Sequence, residues 1–237
     1  MAALPTGPRN VRRSETGTLI ARCPAPMHSP DPSARVGVID YGLGNLQSVL
    51  NACERLQQPA FLVHEPSQLA AARAIILPGV AAFDQGMRNL QARGLVEPLR
   101  DAVLTDKKPL LGLCLGMQLL ADWGSEGQGA AGLGLIPGTV ERFPEGSLRV
   151  PHIGWNSIHE NPSRRCRLPV RDGIDFYFVH SFYFKPKYEE DVVAWTDYGV
   201  RFASIVGRDH IVGCQFHPEK SHQAGMELLA QFFGSLC

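Results

Sequence analysis

Two short segments carry side chains that could do covalent chemistry. Leu110–Gln118 reads Leu-Leu-Gly-Leu-Cys-Leu-Gly-Met-Gln, which is Gly-x-Cys-x-Gly between a β-type run and a helical one. This is the thiol form of a nucleophile elbow, a sharp strand-to-helix turn that strains its central residue and projects that side chain from the sheet. Small residues two before and two after keep backbone clear of the turn. The positive end of the following helix favours thiolate, the reactive form of Cys114. The N–H of Leu115 is then placed to meet an oxyanion. The second segment runs from an apolar strand into His217-Pro218-Glu219. Extended backbone puts residues i and i+2 on one side, and Pro218 disfavours helix at His217. An imidazole with a carboxylate behind it is the general base that a cysteine nucleophile needs. Taken singly, the first segment also fits a buried structural cysteine, and the second fits a strand-end turn with a surface carboxylate.

Elements must hold these groups, and their pattern is alternating. Val36–Ile39, Ala60–Val63, Ala74–Leu77 and Leu110–Leu113 are short apolar runs, read as buried strands. Between them Leu46, Val49, Leu50, Cys53 and Leu56 recur at helical spacing. Residues 83–105 read as helix broken by Gly94 and Pro98, and a helix is expected from Cys114 to about Trp123. The second half is richer in β signals, at Val140–Phe143, Phe176–Val179, Val192–Thr196, Ala203–Val206 and Ile211–Gln215. A last helix is expected over about Gln223–Phe233. The pattern predicts an α/β fold, a central largely parallel sheet flanked by helices, with extra strands in the second half.

Composition narrows the function classes. Of 237 residues, 44% are hydrophobic and 19% charged, as in a globular domain with a full core. Lys plus Arg and Asp plus Glu are equal at 23 each, which gives no electrostatic case for nucleic acid or an anionic membrane. No apolar run approaches the roughly 20 residues that span a bilayer, and the start lacks the features of a secretory signal. Six scattered cysteines with no Cys-x-x-Cys pair favour free thiols in a cytoplasmic protein, without a metal. Residues 1–34 are proline-rich, with Arg9, Arg12, Arg13 and Arg22 against Glu15 and Asp31, and read as a disordered extension ahead of a domain over 35–237. A start at Met27 and an Arg-rich transit peptide both stand as alternatives for this stretch. Gly42-x-Gly44 after a strand lacks the third glycine of a dinucleotide fingerprint.

Gly-x-Cys-x-Gly followed by a distant His-x-Glu resembles the class I, or triad, glutamine amidotransferases. Pro78-Gly79-Val80, Pro151-His152-Ile153-Gly154-Trp155-Asn156, Tyr177-Phe178-Val179-His180-Ser181 and Gln215-Phe216-His217-Pro218-Glu219-Lys220-Ser221 narrow the resemblance. Together these words are similar to the family of glutaminase subunits of imidazole glycerol phosphate synthase, over about 35–237. The resemblance implies a flavodoxin-like amidotransferase fold and hydrolysis of L-glutamine without a cofactor. It implies Cys114, His217 and Glu219 as the triad, and backbone of Leu115, Val80 and Gly79 around an oxyanion hole. It implies that Gln118, Glu126, His180, Ser181 and Phe182 hold glutamine, while Glu126 could also be a solvated loop charge.

It further implies a heterodimer with a (β/α)8-barrel cyclase that consumes the ammonia, docked near Asn45, Trp155, Asn156 and Lys220. Trp155 could equally be a core residue. His152 and His159 are read as structural or surface histidines. Two residues depart from the family, Ala81 where glycine is usual and Phe182 where tyrosine is usual. An alanine tolerates positive φ poorly, so rearrangement of the Pro-Gly-Val loop is expected to be harder here. Rival readings are an amidotransferase of another pathway, a cysteine protease or esterase on a related sheet, and a non-enzymatic binding module.

Overall fold

The computed structural model describes residues 35–144, 146 and 149–234. The extension expected over 1–34 lies outside the described residues. In chain order the elements are β1 (Arg35–Ile39), α1 (Leu46–Arg55), β2 (Ala60–Val63), β3 (Ala72–Leu77), α2 (Phe83–Ala92) and α3 (Val96–Leu104). Then come β4 (Leu110–Leu113), α4 (Leu115–Gln118), β5 (Trp123–Gly124), β6 (Ala130–Ala131), β7 (Gly138–Arg142), β8 (His152–Glu160) and β9 (Ile174–His180). The chain continues through β10 (Phe182–Pro186), β11 (Val192–Tyr198), β12 (Val200–Arg208), β13 (Ile211–Cys214) and α5 (His222–Gly234).

Nine strands form one sheet in the order β2-β1-β3-β4-β13-β12-β11-β8-β9. The pairings from β2 across to β13 are all parallel, and those from β13 to β9 are all antiparallel. The sheet is thus mixed, a parallel half to which the extra strands of the second half are added antiparallel. Short connections such as Gly199, between β11 and β12, can join only antiparallel neighbours. A second sheet, β10-β7-β5-β6, stands beside it.

The parallel strands are apolar because both faces are covered. Ile75 and Leu77 point into one core with Leu90 of α2 and Leu99 of α3. Ile76 points into the other with Val49 of α1 and Leu228 of α5. Each such fully buried side chain contributes about 2 kcal/mol of transfer free energy.

Three expectations are corrected. The helix after Cys114 ends at Gln118, not near Trp123. The carbonyls of Leu119, Leu120 and Ala121 accept from Leu133, Gly134, Leu135 and Ile136, so they cannot continue a helical ladder. The break between α2 and α3 falls at Gly94, with φ 63°. Pro98 breaks nothing, because it lies in the first turn of α3, where no intrahelical N–H bond is required. Finally, β5, β6, β8 and β10 were not expected. No described helix is long and apolar enough to cross a membrane.

Candidate active site

Cys114 leaves β4 and enters α4 with φ 52° and ψ −109°, a backbone conformation that strains any side chain. The flanking glycines allow it. A Cβ on Gly116 would fall 1.7 Å from Leu77 O, and one on Gly112 would fall 2.7 Å from Gly116 O. The bend is pinned to the neighbouring strand by Cys114 N–H donating to Cys214 O at 2.8 Å. The thiol is 7% exposed, with Sγ 3.8 Å from Val179 O and 3.8 Å from Gln215 Nε2.

His217 follows β13, whose parallel neighbour is β4, so the two residues emerge from the same end of adjacent strands. His217 itself is extended, at φ −101° and ψ 94°. The backbone does not stay extended to Glu219, because Pro218–Lys220 is a 3-10 turn. The turn still delivers the carboxylate, with His217 Nδ1 2.8 Å from Glu219 Oε1. Burial opposes charge on the imidazole. Hydrogen bonding to Cys114 and Glu219, reinforced by their negative charge, outweighs it and raises His217 to about 10. An imidazolium is thereby favoured beside the sulfur, the electrostatic partner a thiolate needs.

The thiol opens on a cavity of about 300 Å³. Of the residues singled out in the sequence, Cys114, Leu115, Val80, Ala81, Gln118, Glu126, His180, Ser181, Phe182, His217 and Lys220 line it. Gly79, Asn45 and Glu219 border a much smaller cleft behind His217. Trp155 and Asn156 lie outside both. A groove of about 360 Å³ along α5, near Ile174, holds no thiol or imidazole.

Gln118 is 4% exposed, and its Nε2 donates to Phe182 O at 2.9 Å and to Gln215 Oε1 at 3.0 Å. Glu126 is not a solvated loop charge. Its Oε2 accepts from Phe83 N–H at 2.8 Å, closing the start of α2. Burial raises its carboxyl, the nearby Asp84 raises it further, and the bond from Phe83 opposes both. Asn45 caps α1 by accepting from Ser48 N–H. Trp155 is 48% exposed rather than in the core, and its ring lies parallel to that of His222 at 5.1 Å. Ala81 is not among the residues with positive φ, and Phe182 makes its polar contacts through its carbonyl. His152 is buried against aromatic rings, and His159 faces Asp172 at the surface.

Three residues near the site had no assigned part in the sequence reading. Tyr41 is fully buried and donates to Pro78 O at 2.7 Å, so it ties down the Pro78-Gly79-Val80 loop. Its ring also explains the glycine, since a Cβ on Gly79 would lie 2.2 Å from the Tyr41 hydroxyl. Gln215 bridges Gln118 and the thiol. Ser221 Oγ donates to His217 O at 2.7 Å and accepts from Tyr177 N–H at 3.0 Å, which secures the turn to β9. Gln215 and Ser221 frame the His-Pro-Glu word, and polar side chains so close to a candidate base were the available signal. Among the described residues no group of His, Cys, Asp or Glu could hold a metal ion.

Comparison with known proteins gives the family. The family model for glutamine amidotransferase class-I matches residues 37–236. The imidazole glycerol phosphate synthase subunit HisH of Moorella thermoacetica is 46% identical over 197 residues, covering 83% of this chain and 93% of its own. The protein of the same name from Geobacter metallireducens is 45% identical over 207 residues, covering 84% and 97%. Among solved structures, one described as a glutamine amidotransferase superposes with a TM-score of 0.66 at 22% identity, covering 85% of this chain and 97% of that one. A PurLQS structure from Thermotoga maritima gives 0.67 at 18% identity, covering 86% and 99%, and these two show a shared fold. With a family model spanning nearly all described residues and relatives this similar end to end, the chain belongs to the class I glutamine amidotransferases, in the family of imidazole glycerol phosphate synthase subunit HisH.

Proposed function

We propose that the chain is the glutaminase subunit of imidazole glycerol phosphate synthase, with Cys114, His217 and Glu219 as its triad. The observation that carries the roles is that thiol and imidazole, from two distant segments, line one cavity, with the carboxylate of Glu219 bonded to the imidazole from behind. Cys114 Sγ attacks the side-chain amide carbon of glutamine. The carbonyl oxygen becomes an oxyanion met by Leu115 N–H and by backbone of the Gly79-Val80 loop. His217 gives its proton to the leaving nitrogen, the C–N bond breaks, and ammonia departs from a thioester. Water then attacks with His217 accepting its proton, the C–S bond breaks, and glutamate leaves. Glu219 holds the imidazole in one tautomer and stabilises its charged form.

The same reading gives Gln118, Glu126, His180, Ser181 and Phe182 the task of holding glutamine. Its partner is a (β/α)8-barrel cyclase that uses the ammonia to form imidazole glycerol phosphate and aminoimidazole carboxamide ribonucleotide. Asn45, Trp155, Asn156 and Lys220 make up the docking face in this reading. Exposure of Trp155 supports that assignment, as large exposed aromatics commonly anchor interfaces. The described cysteines Cys53, Cys114, Cys166 and Cys214 are all free and buried, which fits a cytoplasmic setting.

The test is glutamine hydrolysis by the purified chain, alone and with the cyclase plus its ribonucleotide substrate. The reading expects hydrolysis to rise sharply with the liganded cyclase. Equal rates in both would remove the coupling to that partner, and no hydrolysis in either would remove the function.

A further inference from the structure

Behind the cavity wall, side chains of the antiparallel half form a hydrogen-bonded chain whose direction is fixed. Asn156 is its outer end. Its Oδ1 accepts from Ser157 N–H at 2.9 Å and its Nδ2 donates to Asp197 O at 3.1 Å, so the amide has one orientation. Its Nδ2 therefore faces His152 Nε2, at 3.4 Å. His152 Nδ1 lies 3.0 Å from His180 Nε2, and His180 Nδ1 lies 2.8 Å from Phe182 O. A carbonyl oxygen can only accept, so His180 carries its proton on Nδ1. Its Nε2 is then an acceptor, which requires the proton of His152 on Nδ1 as well. That leaves His152 Nε2 to accept from Asn156, and every member of the chain is satisfied with both rings neutral.

We propose that His152 is a positioning residue for the glutamine cavity: through His180 it forms a one-way relay from Asn156 of β8 to Phe182 O that holds residues 179–182 in place. The relay rests on the glutaminase reading above for its purpose, but not for its geometry. The segment it holds contributes much of the cavity wall. Val179 O approaches the thiol, and Phe182 O receives both His180 and Gln118. His152 cannot turn, because its ring lies between Tyr198 at 3.9 Å and Phe178 at 4.9 Å, each inclined by 23°. The two histidines are 3% and 6% exposed. Burial lowers His152 to about 4. Burial also lowers His180, to about 3, against the bond to Phe182 O, and the neighbouring His152 and His217 imidazoles disfavour a charge there further. Both rings thus stay neutral where the imidazole of His217 is charged.

Two substitutions in the full chain, assembled with its cyclase, test this. His152→Phe keeps a ring between Tyr198 and Phe178 and removes the donor. His152→Asn loses the ring and keeps an N–H at the δ position. His152→Phe is expected to raise the KM for glutamine about tenfold with kcat within about threefold, and His152→Asn to return KM to within about threefold of wild type. A KM within twofold of wild type for His152→Phe would overturn the relay. So would equal impairment of both variants, since that pattern belongs to packing alone. Should His152→Phe not fold, 15N NMR of the wild-type imidazoles decides, with protonated Nδ1 and bare Nε2 expected on both rings. A protonated Nε2 on His180 would sink the proposal. If the wild-type assembly cleaves no glutamine, the glutaminase reading fails, while the NMR result still tests the relay.

Discussion

The two halves of the main sheet position their residues by different physical means. In the parallel half, β3, β4 and β13 end side by side, and the Gly79 loop, Cys114 and His217 follow their carboxyl ends. Ligand sites in open α/β sheets collect at that edge. Position there is enforced by exclusion, since Gly79, Gly112 and Gly116 leave no room for a Cβ. The antiparallel half leads at the end of β9 into the 179–182 wall, and position there is enforced by directed hydrogen bonds among buried polar groups such as His152, His180 and Asn161. On the proposed roles, covalent chemistry sits on the half that cannot move without a clash, and the part of recognition given to residues 180–182 hangs on contacts that can be exchanged one at a time.

Substitutions can break this contrast. The largest effect is expected for Cys114→Ala, which should abolish glutamine-dependent turnover, by at least about a thousandfold, while ammonia-dependent synthesis by the assembled synthase survives. Loss of both activities would point to failed assembly. Gly116→Ala should destabilise the fold by about 3 kcal/mol, read from denaturant unfolding, because its methyl meets the Leu77 carbonyl.

Glu219→Gln should slow hydrolysis by about 10- to 100-fold and shift its pH profile. His217 is raised from an ordinary 6.5 to about 10, so its contribution to stability is full below about 6.5 and disappears as pH rises through about 10. Removing one of its anionic partners lowers the folded value, and this loss should set in at lower pH. An unchanged profile would deny Glu219 its electrostatic role. On the other half, Asn161→Ala strips donors from Glu189 O and Val192 O and should destabilise by about 2 kcal/mol. Glutamine kinetics should stay at wild-type values; a changed kcat would show that this half also bears on chemistry.

Legibility in the sequence follows the same division. β1, β3, β4 and β13 are readable because both faces are buried and the runs are unbroken, as in Ala74–Leu77. The elbow and the His-x-Glu pair are readable because few residues can do that chemistry at that spacing. β8 was not, since His152–Glu160 is polar and only partly buried, and its strand character comes from pairing with β9. The shortness of α4 depends on a loop more than ten residues later capturing the carbonyls of Leu119, Leu120 and Ala121, which would otherwise extend it, and no local window contains that loop. Glu126 as the partner of Phe83 and Asn156 as the start of the relay are likewise contacts across 43 and 41 residues of chain.

The strained backbone at Cys114 has a consequence for how the family can drift. With φ at 52°, the position suits glycine better than any residue with a side chain, so the proposed nucleophile is the wrong residue for its own fold. Mutation toward glycine there relaxes the chain and silences it in one step. A cysteine at such a site persists only under continued selection for turnover. An inactive descendant is therefore expected to lose its thiol early and to keep its architecture long afterwards, leaving a more stable and silent copy of the same sheet.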